Sequence, residues 1–198
     1  MIDFKNSETA KNLMRAFAGE SQARNRYTIA AGQAKKDGLP VVQSVFLFTA
    51  NQEKEHAEVF YNHLKALKGQ NIRIDGGYPV DHYDNSLDLL KAARHNEYEE
   101  YGDVYQNFGN IAKEEGFAPI ANTFFMVAEI EKIHGDRFQL FADYLEKERL
   151  FVSDVETGWM CLNCGYVHYG TKAPNACPVC HHEQGYFIRL ELAPYILG

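Results

Sequence analysis

The chain has 198 residues with 27 acidic and 20 basic side chains, a formal net charge of −7, and a composition that is 45% hydrophobic and 24% charged. These proportions are typical of a globular protein with one medium domain and a small second one, and the acidic balance without a Lys/Arg-rich run argues against a nucleic-acid partner. No apolar run approaches the ~18 residues that cross a membrane, and the N-terminus lacks a signal-like apolar core, so we expect neither a signal peptide nor a membrane span.

The first two predicted helices form a pair at the N-terminal end of the chain. Apolar and small residues recur at helical spacing from about Ser7 to Lys36, which predicts one long amphipathic helix. Gly38 and Pro40 end this helix and begin the next, which we predict from Pro40 to Lys68. Because the connection is so short, the two helices should be antiparallel neighbours.

A longer irregular segment, residues 69–84, follows the second helix and is rich in glycine and proline. It could carry the chain from one end of a bundle to the other, or it could be an ordinary surface loop. We predict a third helix from Asn85 or Ser86 to Gly116 and a fourth from Pro119 to about Leu150. The fold class is therefore mainly α, a four-helix bundle with one long crossover, followed by a small β-rich domain.

Seven acidic and imidazole side chains interrupt the apolar faces of these helices. The second and fourth helices each carry a Glu-x-x-His pair, which puts a carboxylate and an imidazole on one face. One such spacing arises by chance on many solvated helices, but here acids lie near the middle of all four helices. The seven residues are Glu20, Glu53, His56, Glu97, Glu100, Glu131 and His134.

Five carboxylates in one core would repel one another and take up protons unless cations neutralise them. We therefore predict a dinuclear centre, and the mixture of many oxygen donors with two imidazoles favours iron or manganese over zinc or magnesium. Glu53 and Glu131, each followed by a histidine one turn on, are the predicted bridging ligands. The third helix carries two carboxylates, Glu97 and Glu100, where a dinuclear site in a four-helix bundle needs only one from that helix. The spare carboxylate could replace His56 as a ligand when the iron is oxidised.

The C-terminal region loses the helical period and contains all four cysteines, which form two Cys-x-x-Cys pairs: Cys161, Cys164, Cys177 and Cys180. This spacing predicts a tetrahedral four-sulfur metal site rather than disulfides. Zinc would make it a structural ribbon and a single iron would make it a redox centre, and the segment alone leaves both open. Nearby aromatic residues, Trp159, Tyr166, Tyr169 and Phe187, are predicted to pack around the metal. The predicted divisions of the chain are a bundle at residues 1–150, a linker at 151–157 and the metal domain at 158–198.

Taken together, the motifs resemble the rubrerythrin family over the whole chain. The resemblance is carried by Glu20, Glu53-x-x-His56, Glu97-x-x-Glu100, the segment IAKEEGF at 111–117, Glu131-x-x-His134 and CLNCGY…CPVC at the C-terminal end. It implies a ferritin-like di-iron bundle followed by a rubredoxin-like domain with one iron. It also implies a cytoplasmic peroxidase that reduces hydrogen peroxide to water and protects against oxidative stress.

The resemblance further implies ligands and partners. One iron would be held by Glu20, Glu53, Glu100 and Glu131, and the other by Glu53, Glu97, Glu131 and His134. His56 would take the place of Glu100 on reduction, and zinc could substitute for iron in either site. Electrons would come from NAD(P)H through a partner reductase or rubredoxin, and two chains would form a homodimer.

Some alternatives remain open at this stage. Tyr27 and Tyr105 match positions where the family often has tyrosines beside the ligands, but core packing explains them equally well. His95 and Glu99 lie close to the third-helix acids, so that pair could be displaced by one turn. Ferroxidase or iron-handling activity, a zinc ribbon that docks a partner, and oxygenase or desaturase chemistry are rival functions.

Overall fold

The computed structural model describes residues 2–195, in which five α-helices precede a three-stranded sheet. The elements are α1 (Glu8–Lys36), α2 (Pro40–His63), α3 (Ser86–Glu99), α4 (Tyr105–Glu114), α5 (Ala118–Glu146), β1 (Val152–Cys161), β2 (Val167–Lys172) and β3 (Phe187–Arg189). A π-helical segment, Glu100–Val104, joins α3 to α4, so that together they form one rod of the bundle. The predicted fold class is confirmed. Within residues 2–195, no helix is long and apolar enough to cross a membrane.

The beginning of α1 is held by the preceding serine and by a glutamate at the end of α4. The Ser7 hydroxyl accepts a hydrogen bond from the backbone N–H of Ala10, at 3.0 Å. The Glu115 carboxylate accepts from the N–H groups of Glu8 and Thr9, at 2.9 and 2.8 Å. Free N–H groups and the helix dipole both favour a carboxylate at this position. Glu115, the second acid in IAKEEGF, thus connects the end of α4 to the start of α1.

The segment between α2 and α3 lies along α1. Its contacts with α1, in chain order, are the ion pairs Arg15–Asp75 at 2.8 Å and Arg26–Asp81 at 2.6 Å, and a hydrogen bond from Gln33 Nε2 to the Asp84 carbonyl at 3.1 Å. Both partners advance together along the sequence, so the segment runs parallel to α1. It therefore delivers α3 to the end of the bundle where α2 begins, and α2 and α3 run parallel. This confirms the crossover interpretation over the surface-loop interpretation.

The bundle core consists of two apolar clusters with an acidic layer between them. On α2, Phe46 belongs to one cluster and Phe60 to the other, and Glu53 lies halfway between them. On α5, Phe138 and Phe124 repeat this arrangement around the second Glu-x-x-His pair. Apolar packing above and below therefore fixes the level at which the acids meet.

Two helix ends differ from the prediction. α2 ends at His63, five residues before Lys68, and a short 3₁₀ turn replaces its predicted last turn. α5 ends at Glu146 rather than near Leu150. There the chain turns through Glu148 at φ 55°, in the left-handed region, which stops a helix that the sequence pattern would extend.

The C-terminal module begins earlier than predicted. Val152 pairs with Lys172 and Thr157 with Gly170, so most of the predicted linker at 151–157 belongs to β1. β1 lies between β2 and β3, and both pairings are antiparallel. The segment looks like a linker because its middle residues, Asp154, Val155 and Glu156, are all exposed, so the alternation of buried and exposed residues in a strand is missing there.

The module is seated on the end of the bundle where α1 ends and α2 begins. A Cβ added to Gly185 would lie 2.1 Å from the backbone oxygen of Gly38, so only glycine permits this approach. On the other side, the Arg189 guanidinium lies over Tyr144 of α5 at 4.7 Å and over Trp159 of β1 at 4.9 Å. The cysteine module therefore has a defined contact with its own bundle.

Candidate metal centres

All seven predicted acidic and imidazole residues meet in the layer between the two apolar clusters. Six are buried, with exposed fractions of 0% for Glu20, Glu131 and His134, 1% for Glu53 and Glu97, and 7% for His56. Glu100 is the one that is only partly buried. The alternative register for the third helix is excluded, because His95 and Glu99 are both exposed.

The carboxylates of Glu53 and Glu131 lie between two imidazoles. One oxygen of each carboxylate is 2.9 Å from His134 Nδ1. The second oxygen lies 3.1 Å (Glu53) and 2.9 Å (Glu131) from His56 Nδ1. The imidazole rings are nearly parallel, with centroids 5.4 Å apart. A carboxylate that turns one oxygen to each side has the geometry of a bridging ligand, which is the role predicted for these two residues.

The remaining acids divide between the two sides. Glu97 Oε2 is 3.6 Å from His134 Nδ1, and Glu20 Oε1 is 3.9 Å from His56 Nδ1. On the Glu20 side, oxygens of Glu20, Glu100 and Glu131 lie within 4.8 Å of one another. His56 and Glu100 therefore both face the position bounded by Glu20 and Glu131, where either could complete a ligand set.

Most of the carboxylate oxygens and imidazole nitrogens that could bind a metal in this layer form no hydrogen bond within the protein. Both oxygens of Glu53 and of Glu131, one oxygen of Glu20 and of Glu97, and Nδ1 of both histidines are buried without one. Burying so many unsatisfied polar atoms is costly. Two metal ions would satisfy these atoms and neutralise the carboxylates together, so the residues present fit a dinuclear centre.

The protonation of the metal-free site reflects the same crowding. Burial, together with neighbouring carboxylates, raises the pKa of Glu20, Glu100 and Glu131 well above the ordinary value. Burial opposes charge on His134, but contacts with Glu131 and Glu53 outweigh it and raise the pKa of His134 to about 11. Without metal, protons therefore partly take the place of the cations.

Two buried tyrosines hold two of the three acids that lack a paired histidine. Tyr105 Oη donates to Glu20 Oε1 at 2.5 Å, and Tyr27 Oη donates to Glu97 Oε1. Both rings also pack in the core, Tyr27 with Phe138 at 5.0 Å between centroids. The two interpretations of these tyrosines are thus compatible, since each ring fills the core while its hydroxyl orients a carboxylate.

Arg137 is a neighbour of the site that the sequence analysis does not single out. Its Nη1 donates to Thr49 Oγ1 at 2.9 Å and to Gln52 Oε1 at 3.0 Å, and its guanidinium lies 5.0 Å from the ring centre of Phe48. It closes the face of the site between α2 and α5. The sequence signal that could reveal this residue is its position: it is a single basic residue, one turn after His134, in a largely apolar helix.

The four cysteines converge at the tip of the C-terminal module, with all sulfurs within 4.8 Å of one another. Cys161 and Cys180 sulfurs are 3.7 Å apart, and Cys164 and Cys177 sulfurs are 3.6 Å apart. This is a compact four-sulfur set of the kind that holds a tetrahedral metal ion. Cys161 and Cys177 are buried and Cys164 is exposed, so one side of the site faces solvent.

The two cysteine pairs sit in equivalent turns. Gly165 follows the first pair at φ 79° and donates its N–H to the Cys161 carbonyl at 2.8 Å. His181 follows the second at φ 61° and donates to the Cys177 carbonyl at 2.9 Å. In the second turn, the backbone N–H of His182, assisted by the neighbouring thiols, lowers the pKa of Cys180 to about 6. A thiolate is therefore available for a metal at neutral pH.

The aromatic residues around the cysteines are arranged nearly as predicted. Trp159 and Phe187 are buried in one cluster with Cys161 and Cys177, and Tyr166 packs against it. Trp159 Nε1 also donates to the Gly170 carbonyl at 2.9 Å. The prediction is wrong for Tyr169, which is 64% exposed because its side chain lies on the outer face of β2.

A four-helix bundle with a buried dinuclear carboxylate–histidine layer, joined to a four-cysteine module, defines a ferritin-like non-haem iron protein with a rubredoxin-like domain. Family models match in two parts: "Rubrerythrin" matches residues 11–142, and "Rubrerythrin, rubredoxin-like domain" matches residues 159–188. The chain therefore belongs to the rubrerythrin family. The bundle site is a site for two irons, and the four-cysteine site is a site for one.

Individual relatives agree over nearly the whole chain. The chain is 42% identical to the rubrerythrin of Clostridium perfringens and 43% identical to that of Nitratidesulfovibrio vulgaris, with 94% of this chain and 96% of each relative covered. A solved structure of nigerythrin in a mixed-valence state superimposes with a TM-score of 0.61 at 25% identity, covering 91% of this chain and 86% of that one.

Proposed function

We propose that this protein reduces hydrogen peroxide to water at the bundle site, with electrons relayed through the four-cysteine site. The observation that carries the proposal is the pairing of His56 and Glu100 at one metal position, beside Glu20 and Glu131. An imidazole and a carboxylate prefer different oxidation states of iron, because ferric iron favours the harder anionic oxygen. A site that offers both can serve a metal that changes its charge in each cycle.

Reducing hydrogen peroxide to two waters consumes two electrons and two protons. When bound, the two irons supply the electrons together and polarise the O–O bond as Lewis acids. The chain holds the ligands in place: Glu53 and Glu131 face both metal positions, and Tyr105 fixes the orientation of Glu20. Glu100 is the ligand candidate that is only partly buried, so it lies on the side of the site nearest to solvent.

The four-cysteine module supports the electron-delivery part of the proposal. Cys164 and Val179, which is 62% exposed, place one side of the metal site at the surface, where an electron donor can approach. We propose an NAD(P)H-linked partner reductase or rubredoxin as that donor. We further propose a homodimer, in which the module of one subunit serves the bundle of the other, and a cytoplasmic location, where a reducing environment keeps the thiols available.

The test is the rate at which the fully reduced, iron-loaded protein is oxidised. In a stopped-flow experiment, mixing with hydrogen peroxide should oxidise the bundle iron far faster than mixing with air-saturated buffer. Steady-state turnover with a reductase should then consume one peroxide for each NAD(P)H. Equal or faster oxidation by air would overturn the proposal and favour ferroxidase or iron-handling activity, for which the four-cysteine module has no evident use.

A further inference from the structure

A cavity of about 220 Å³ lies on the surface of the bundle, where α1 faces the π-helical segment. It is bounded by α1, by the π-helical segment and by the crossover. Gln22, Asn96 and Glu100 contribute polar walls, and Gly19 contributes a stretch of bare helix backbone. The cavity is open to solvent and is large enough for several water-sized molecules.

Two residues of the cavity wall contact the metal site directly. The carboxylate of Glu100 belongs to the acid group with Glu20 and Glu131. Tyr105, whose hydroxyl donates to Glu20, forms part of the same wall. Glu100 is partly buried, whereas the other six ligand candidates are buried. The metal site therefore comes nearest to solvent at this wall.

The roof of the cavity is a short strap of the crossover, residues 76–80. Both ends of the strap are fastened: Asp75 to Arg15 at 2.8 Å, and Asp81 to Arg26 at 2.6 Å. The strap itself begins with two glycines, and the only side-chain hydrogen bond recorded for its residues in the described structure runs from Tyr78 Oη to the Arg15 carbonyl at 3.1 Å. The strap is therefore held at its ends by ion pairs and at its centre by the Tyr78 hydroxyl.

Tyr78 is placed where it can control the width of the cavity. Its ring stands over Gly19 of α1, and a Cβ added to Gly19 would meet the ring at 3.7 Å, an ordinary contact distance. The ring is 41% exposed, so it lies between the cavity and the surface. Any side chain larger than a methyl group at Gly19 would extend into the space below the ring.

We propose that this cavity is the route by which small polar hydroperoxides reach the metal site, and that Tyr78 sets its width. The proposal rests on the proposed function for the identity of the substrate. Hydrogen peroxide is small enough for the cavity and can hydrogen-bond to Gln22, Asn96 and Glu100, whereas a branched alkyl hydroperoxide would meet the Tyr78 ring. The strap thus acts as a specificity element for the site beneath it.

The first test narrows the route with Gly19→Leu and uses Gly32→Leu as the matched control, since Gly32 lies on the same helix with nothing within 4 Å of an added Cβ. In the iron-loaded, oxidised protein, azide binding followed by visible absorption reports access without requiring peroxidase activity. We expect Gly19→Leu to slow azide binding and peroxide-driven oxidation in parallel, by about tenfold or more, and Gly32→Leu to change neither. Unchanged azide binding in an iron-replete Gly19→Leu protein would overturn the route.

The second test widens the route with Tyr78→Ala, which removes no contact from the metal ligands. We expect faster azide binding, and a rate with tert-butyl hydroperoxide that rises relative to the rate with hydrogen peroxide. If neither azide binding nor the ratio changes, Tyr78 does not set the width. If azide binding responds in both variants while hydrogen peroxide reacts no faster than air, the route stands and the proposed peroxidase function fails.

Discussion

The two metal sites of this protein differ in how their ligands are brought together. The cysteines are confined to positions 161–180 and converge through two local turns, each with a residue in the left-handed region. The bundle ligands extend from Glu20 to His134 and meet only when four rods pack. The cysteine site is therefore a property of its segment, whereas the bundle site is a property of the whole fold.

The sites also differ in how they tolerate the loss of metal. The cysteine site faces solvent on one side, and its thiols can simply take up protons. The bundle site is largely buried, and its acids then depend on protonated neighbours, in line with the raised pKa of Glu131 and of His134. Metal removal should therefore disturb the bundle through its electrostatics and the module through its local folding.

The largest expected effect comes from removing the iron of the cysteine site while the bundle site stays intact. Replacing Cys161 and Cys164 together by serine removes two of the four sulfurs, so the module should lose its iron and its visible thiolate absorption. Steady-state peroxide turnover with a reductase should fall by about 100-fold or more, because the electron relay is interrupted. A single oxidation of chemically reduced bundle iron should keep its rate. Loss of that single oxidation as well would show that the two sites are not independent.

The second prediction removes a charged ligand from the bundle site and leaves the cysteine site unchanged. Glu131→Gln keeps the shape of a residue whose oxygens face both histidines, but removes its charge. We expect roughly one iron or fewer to remain in the bundle, since a neutral amide is a poor bridging ligand, while the module keeps its iron. Metal analysis gives the total iron per chain, and the visible absorption band of the module gives the iron bound by the cysteines. The difference between the two is the iron in the bundle. Full dinuclear occupancy in this variant would contradict the bridging role.

The third prediction concerns pH and the metal-free bundle. The pKa of His134 rises from 6.5 to about 11 on folding, so its contribution to stability is present below pH 6.5 and is lost as the pH rises towards 11. The raised pKa of Glu131 has the same sign, because above 4.5 the folded state holds a proton that the unfolded state releases. The metal-free protein should therefore become less stable as the pH rises from about 6.5 towards 11.

Iron loading should reverse this trend, because the ligands bind metal in their deprotonated forms. Denaturant midpoints of the metal-free and iron-loaded protein, measured across that range, should diverge as the pH rises. The double cysteine variant is the control, and it should show the same divergence if the bundle causes it. A metal-free protein that gains stability with rising pH would contradict the assigned protonation of the site.

Much of this arrangement can be predicted from the sequence, because the informative features repeat. The spacing of Glu53 and His56 recurs at Glu131 and His134, and the glutamate of each pair lies midway between two phenylalanines, each seven residues away. Periodicity therefore gives both the helices and the level of the site. The cysteine turns are equally evident, because their ligands are neighbours in the chain.

The features that escape prediction depend on tertiary packing or on a broken period. Glu100 begins a π-helical segment, in which one residue more than an α-turn is accommodated, and nothing in the local composition distinguishes it from α-helix. The cavity under Tyr78 depends on where the crossover rests on α1, which is set by ion pairs more than fifty residues apart in sequence. Arg137 becomes meaningful only when α2 lies beside α5.

The smallest expected effects come from the two tyrosines beside the bundle site. Tyr105→Phe and Tyr27→Phe each remove one hydroxyl that donates to a buried carboxylate, of Glu20 and Glu97 respectively, while the ring keeps its packing. A hydrogen bond to a charged group is worth about 1.5–3 kcal/mol, and loss of a contact that orients a ligand lowers metal affinity by about 10–100-fold. Tyr98→Phe is the matched control, since its hydroxyl donates to the exposed Asp136 at 2.7 Å. Competition with an iron chelator should show weaker iron binding in the first two variants only, and wild-type affinity in both would leave these tyrosines with a packing role alone.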